Sequence, residues 1–303
     1  MYKTRVYAAM LLAAAFTLTS HAQSGTYTCS NFQFMPPNTQ YPNDGVSPNA
    51  LNDRDVVVGS FDGFDQEFAF TYLPNGKVSL SIPPGSEQTS YNGINDFGSI
   101  VGWWAESYEN GSPGHGFVLV PGSTSTNIVH PDAQRTWATG INNLGKIVGY
   151  YIPEAGGATY GYVLSGGQFT DFYVPQGQPY TTQPSAINDA GIIVGTFTDF
   201  NPFGFIFKDG NFTLEYGPPN TGELFFSGIN DQNDIVGAYL TNTGSAPFTG
   251  FVYSRGIYYT VQIPNATGTY TLVNGINNRG DITGQVALTD GTYPVFLGTG
   301  CQF

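Results

Sequence analysis

The amino-acid sequence predicts an all-β protein, a six-bladed β-propeller with four-stranded blades, and three observations carry that prediction. One motif recurs six times, as ALNDRDVVVGSF from Ala50, GINDFGSIVGWW from Gly93, GINNLGKIVGYY from Gly140, AINDAGIIVGTF from Ala186, GINDQNDIVGAY from Gly228 and GINNRGDITGQV from Gly275. Its asparagines lie 42 to 47 residues apart, too long for one strand-turn unit of a solenoid and suited to a four-stranded blade. With 40 Gly, 20 Tyr, 23 Phe and only 10% charged residues, the composition favours short strands and tight turns over helices. Finally, the two chain ends complete each other, which favours a ring over the alternative of two stacked β-sandwiches.

Residues 1–22 read as an export signal. Lys3 and Arg5 supply the charged start, Val6 to Leu18 is apolar, and Ser20-His21-Ala22 offers small residues for cleavage near Ala22. Residues 23–303 then form a single propeller domain, secreted or periplasmic and monomeric. No other stretch is apolar for long enough to form a membrane helix, so the chain is not expected to span a membrane. Without the signal, seven basic residues stand against 22 acidic ones, a net charge of −15. That balance argues against nucleic acid as a partner. The two cysteines, Cys29 and Cys301, are read as one disulfide in an oxidising compartment, and with three scattered histidines they make no zinc site.

Within a repeat, the first strand ends on Gly-Ile-Asn and the second is the Ile-Val-Gly run. The turn between them, Asn-Asp-x-Gly, suits a hairpin whose last loop residue is left-handed. That residue is Gly98, Gly145, Gly191 and Gly280 in four copies and Asp55 or Asn233 in the others, and Asp and Asn tolerate this region best after glycine. Asn52, Asn95, Asn142, Asn188, Asn230 and Asn277 open the turns and are read as structural, each side chain bonding backbone two residues on. Gly59, Gly102, Gly149, Gly195, Gly237 and Gly284 interrupt the β-branched second strand, which implies close approach of another backbone or a bulky side chain. The pairs Trp103-Trp104 and Tyr150-Tyr151 follow this glycine, one ring on each face of the blade.

Third and fourth strands are joined by tight turns at Pro74-Asn75-Gly76, Gly166-Gly167, Asp209-Gly210 and Arg255-Gly256. Fourth strands close on Pro83, Pro131, Pro175, Pro218 and Pro264, which suits an outer edge. Tyr27 to Pro36 is then a fourth strand with nothing before it, and Pro294 to Leu297 a third with nothing after it. The last blade is closed by the N-terminal strand pairing with the C-terminal strands, with Cys29 and Cys301 stapling the seam.

The GIN-(D/N)-x-G-x-IVG-x-Y unit followed by His115-Gly116-Phe117 resembles the secreted bacterial HAF-repeat family over nearly all of residues 23–303. The His-Gly-Phe triplet occurs once, with Tyr-Gly-Tyr, Phe-Gly-Phe or Thr-Gly-Phe in other copies. The resemblance implies an extracellular β-propeller-like protein and carries no catalytic residues.

Alternate connections of an up-and-down blade lie on opposite faces of the disc, so both tight turns share one face and both longer connections the other. Long loops over a rigid scaffold are where binding groups concentrate. The candidate binding residues there are Trp104, Tyr151, Tyr239, His115, His130 and Arg135, with Tyr270 as a further ring, and Glu106 and Glu109 near the histidines. The expected function is a binding module for an extracellular glycan or protein surface, with no cofactor, metal or catalytic signature. One alternative is a hydrolase or lyase using the blade-two histidines and carboxylates such as Asp65, Glu67, Glu87, Glu154, Asp199 and Glu223, which no flanking motif singles out. Another is a surface-structural protein without a small ligand. No GxSxG motif occurs. The turn aspartates Asp53, Asp96, Asp189 and Asp231 are read as solvated turn residues rather than a cation ring.

Overall fold

The computed structural model of the protein describes residues 23–35, 45–63, 66–83, 85–107, 114–175, 181–241 and 248–303. The export segment 1–22 and the candidates Asp65 and Glu109 lie outside the described residues. Among the described residues there are strands and no helix. Each repeat folds as an antiparallel meander of four strands. Blade one runs through Val46–Leu51, Val57–Asp62, Glu67–Tyr72 and Val78–Ser81. Blades two to five repeat this over residues 88–128, 133–172, 181–215 and 221–262. Neighbouring blades share little backbone pairing, as at Glu67 with Gln88 and Gly114 with Arg135. Side chains carry most of the ring.

Blade six takes three strands from Ala266–Ile276, Ile282–Leu288 and Val295–Gln302, and its outer strand from the other end of the chain, Gln23–Phe34. Register places Cys29 opposite Cys301 and Phe34 opposite Phe296, and the cysteines form a disulfide across 272 residues. Closing a loop that long stabilises the fold by about 5–6 kcal/mol in the chain-entropy treatment. The same N-terminal strand also pairs in parallel with Ile257–Gln262, the outer strand of blade five, through Thr26 with Thr260 and Thr28 with Gln262. The seam is therefore held on both sides.

Apolar packing lies between blades. Val101 and Ile128 of blade two meet Ala138, Ile141, Tyr151 and Tyr162 of blade three, and each further interface repeats the pattern with its own aliphatic and aromatic set. The second-strand glycine is explained by crowding. A Cβ on Gly149 would stand 1.9 Å from the Trp137 carbonyl oxygen and 2.7 Å from the Tyr162 ring, and one on Gly102 would stand 2.0 Å from the Ser90 carbonyl oxygen beside Phe117. Real Cβ atoms do not approach so closely, so glycine is required here, first by the inner-strand carbonyl and then by the aromatic rings that the third strands lay over the same point. Phe70, Phe117, Tyr162, Phe205, Phe251 and Phe296 are those rings. The aromatic of the third strand and the glycine of the second are one packing unit.

Candidate functional site

The disc has two chemically different faces. On the tight-turn face each motif asparagine first folds its own turn: Asn95 Oδ1 accepts the Phe97 and Ser99 N–H groups at 3.1 and 2.9 Å, and the Gly98 N–H donates to the Asn95 carbonyl at 3.0 Å. The left-handed residues closing the turns have φ of 57° at Asp55, 67° at Asn233 and 82° at Gly98. Each asparagine then reaches the next blade. Asn52 Nδ2 donates to the Asn95 carbonyl, Asn95 to Asn142, Asn142 to Asn188, Asn188 to Asn230, Asn230 to Asn277, and Asn277 back to Asn52, at 3.0 to 3.3 Å. These asparagines are 3–6% exposed, so leaving their groups unpaired would carry a full desolvation penalty.

A second cycle lies outside the first. The N–H of Asp53 donates to Asp96 Oδ1, and the series continues through Asn143, Asp189, Asp231 and Asn278 back to Asp53, at 2.7 to 2.9 Å. Two amides bridge the four carboxylates: Asn143 Nδ2 donates to Asp96 and Asp189 at 2.7 and 3.1 Å, and Asn278 Nδ2 to Asp53 and Asp231 at 3.1 and 2.9 Å. At the seam, Arg279 ties blade six to blade one through the Asp53 carbonyl and Asp55, while also bonding Asp281. Burial raises the Asp55 carboxyl above its ordinary range despite this arginine.

The axis holds a cavity of about 70 Å³ toward each face. Leu51, Ile94, Ile141, Ile187, Ile229 and Ile276 line both, forming an apolar waist between them. The cavity toward the long loops is floored by Asn49, Asn92, Thr139, Ser185, Ser227 and Asn274. Several of these polar groups are already used between blades: Asn92 Nδ2 donates to the Ala138 carbonyl at 3.0 Å and Thr139 Oγ1 to the Pro184 carbonyl at 2.8 Å.

Two aromatic ladders belong to the end of the disc beyond this floor. Trp137, two residues along the inner strand from Thr139, stacks on its cross-strand partner Tyr150 at 4.9 Å and 18°, and lies 5.8 Å from Trp103 of blade two. Arg135 and Trp103 both pack beside Gly114. In the other ladder Phe225, two residues from Ser227, leads to Phe248 at 6.4 Å, then Tyr270 at 5.7 Å, then Tyr293 at 5.8 Å. These rings are half-buried, except Tyr293, which is 63% exposed. Blades two and three face blades five and six across a six-membered ring, so the ladders approach the mouth from opposite sides.

The residues singled out from sequence are distributed differently from expectation. Tyr270 belongs to the second ladder, its hydroxyl donating to Gln285 Oε1 at 3.3 Å. Tyr151 and Tyr239, expected at the surface, are buried at 8% and 4% exposure in blade packing. In Tyr150-Tyr151 and Trp103-Trp104 it is the first ring of each pair that joins the ladder. Trp104, on the opposite side of its strand, packs against His115 at 4.8 Å and donates Nε1–H to Asn127 at 3.2 Å. His130 is also buried, stacked on Tyr151 at 3.8 Å, its Nε2 paired with Asp171 at 3.1 Å while Nδ1 accepts the Asp132 N–H. The two histidines serve separate clusters and do not converge. Trp137, Phe225 and Phe248 escaped sequence reading; the available signal was the cross-strand pairing of TWATGIN with IVGYY.

Among the described residues no three His, Cys, Asp or Glu side chains are arranged to hold a metal. The most perturbed carboxyl lies away from the mouth, between blades four and five. Burial pushes Glu215 up to about 7, although Tyr253 donates a hydrogen bond to it at 3.2 Å.

No protein-family model matches the chain, and no curated protein matches it. Among solved structures it is similar to a protein assigned as a gluconolactonase, with 12% identity over 93% of this chain and 95% of that one and a TM-score of 0.54. TolB from Acinetobacter baumannii matches at 11% identity over 86% of this chain and 66% of that one, TM-score 0.52. A Trypanosoma rangeli sialidase in complex with the inhibitor DANA matches at 8% identity over 93% and 58%, TM-score 0.50. At such identities the likeness is one of fold, and the fold is that of the β-propellers.

Proposed function

We propose that this chain is an exported carbohydrate-binding propeller of the HAF-repeat type, taking an extended glycan across the long-loop mouth. The observation that supports it is the pair of opposed aromatic ladders, Trp103-Trp137-Tyr150 and Phe225-Phe248-Tyr270-Tyr293, beside an axial cavity too small to swallow a sugar ring. Half-buried rings fixed by their neighbours offer apolar area at little entropic cost, and their faces suit the C–H faces of pyranose rings. Residues 1–22 act as the export signal, cleaved near Ala22, and the Cys29–Cys301 disulfide fits an oxidising destination. The test is a glycan array followed by titration of the best binder, monitored by tryptophan fluorescence. Trp137→Ala should weaken binding about tenfold or more with the melting transition still cooperative. Binding left intact in this variant, or an array without signal, removes the reading.

A further inference from the structure

Charge is segregated between the two faces. Of the seven basic residues in 23–303, Arg54, Lys77, Lys146, Lys208, Arg255 and Arg279 belong to the tight turns or their flanks, leaving Arg135 on the long-loop side. Against that one cation stand ten carboxyl groups among the described residues on strand ends and connections of the long-loop side, including Glu87, Glu106, Asp132, Glu154, Asp199 and Glu223, with the buried Glu215 left out of the count. The tight-turn face, with its six cations and its bonded aspartates, comes near to neutrality. Most of the net negative charge of the described residues therefore lies on the side of the disc that carries the aromatic ladders.

A field of one sign over one face raises the local concentration of opposite charge and costs self-repulsion while it stands uncompensated. A uronic-acid or sialic-acid chain would enter against that field. A chain carrying ammonium groups would relieve it, and the same ammonium groups find favourable positions over Trp103 and Trp137, whose faces attract cations within about 6 Å. Glu223 stands two residues beyond Phe225 on the inner strand, so one of the carboxylates is built into the mouth itself.

We infer that the glycan taken between the ladders is cationic, an amino-sugar chain with free ammonium groups. This deepens the proposed glycan-binding function and rests on it. The test is calorimetric titration of the signal-free chain, at about pH 5.5 where amino sugars are protonated, with a β-linked glucosamine hexamer, its N-acetylated counterpart, a galacturonate hexamer and a lysine hexamer. The glucosamine hexamer should bind about tenfold more tightly than the acetylated one at low salt, with the gap narrowing as salt shortens the Debye length from about 10 Å toward 3 Å, and the galacturonate hexamer should give no heat. The combined variant Glu106→Gln, Glu154→Gln, Glu223→Gln should lose that tenfold preference, so that the two hexamers bind alike, and a preference left at tenfold overturns the cationic assignment. Equal or tighter binding of the acetylated hexamer overturns the cationic assignment and leaves the glycan reading standing. Lysine hexamer binding as tightly, with Trp137→Ala without effect on the glucosamine hexamer, would assign the face to basic peptide and overturn both. Silence from every hexamer overturns both as well.

Discussion

The two faces of the disc are built from the same repeats under different constraints. On the tight-turn face, position after position is Asn, then Asp or Asn, because each side chain bonds its own turn and the next blade, and a departure in one copy would break bonds in two. Toward the long loops the inner strand carries Ser47, Ser90, Trp137, Gln183, Phe225 and Leu272 at one equivalent position. Sequence is held uniform where a closed cycle couples the blades and released where contacts stay local. The uniform face is the frame, and the varied face is where recognition can be placed.

The contrast can be broken most severely at the seam. Replacing both Cys29 and Cys301 with Ser should cost up to about 5–6 kcal/mol, read as a fall in the denaturation midpoint, because blade six is completed from both chain ends. A smaller loss would mean that the double pairing of Gln23–Phe34, with blades five and six, already closes the ring. Next comes Asn95→Ala. It removes two turn bonds and the inter-blade bond to Asn142 at a buried site, at an expected cost of about 3–4 kcal/mol in chemical denaturation. A cost below about 1 kcal/mol would show that water replaces the asparagine and that the cycle is not the frame.

How far each face could be read from sequence follows the same division. The turn was legible because its chemistry is local: an Asn that bonds two residues on, and a left-handed residue that becomes Asp55 or Asn233 wherever it is not glycine. Chain closure was legible because a lone fourth strand and a missing fourth strand can be matched by pattern. The other half of each asparagine, the amide reaching a carbonyl 42 to 47 residues away, or 225 at the seam, leaves no local trace. Strand parity shows that Tyr150 and Tyr151 face opposite ways but not which side meets the next blade, so it neither buries Tyr151 and Tyr239 nor singles out Trp137. The ladders depend on register between strands, which exists only once the blades are assembled.

A buried acid between blades gives a third probe. The folded value of Glu215 is raised from 4.5 to about 7 by burial, so the folded state prefers it protonated. Its contribution is fully present below about pH 4.5, falls as pH rises through the window up to about 7, and is then constant; the whole drop is at most about 3 kcal/mol. Denaturation of Glu215→Gln across this range should lose that slope. An unchanged slope would place its origin elsewhere, with Glu67, also raised by burial, as the next group to test.

The smallest expected effect bears most directly on whether the outer cycle acts as a unit. Asn143→Asp keeps the acceptor for the Asp96 N–H but removes the donors to Asp96 and Asp189 and sets a third carboxylate between them. At this partly exposed site the cost should be about 1 kcal/mol at neutral pH, shrinking with salt and recovering as pH falls into the carboxylate range, where a shared proton restores one hydrogen bond. Asn278→Asp, on the opposite side of the axis, should cost the same, because it bridges Asp53 and Asp231 alike. If the two amides act independently, the double variant loses the sum to within about 0.5 kcal/mol. A larger loss would mean that all six positions of the cycle respond together, making the tight-turn face one cooperative element. An additive loss would reduce it to six separate links, and the uniformity of the repeats would then reflect the turn alone.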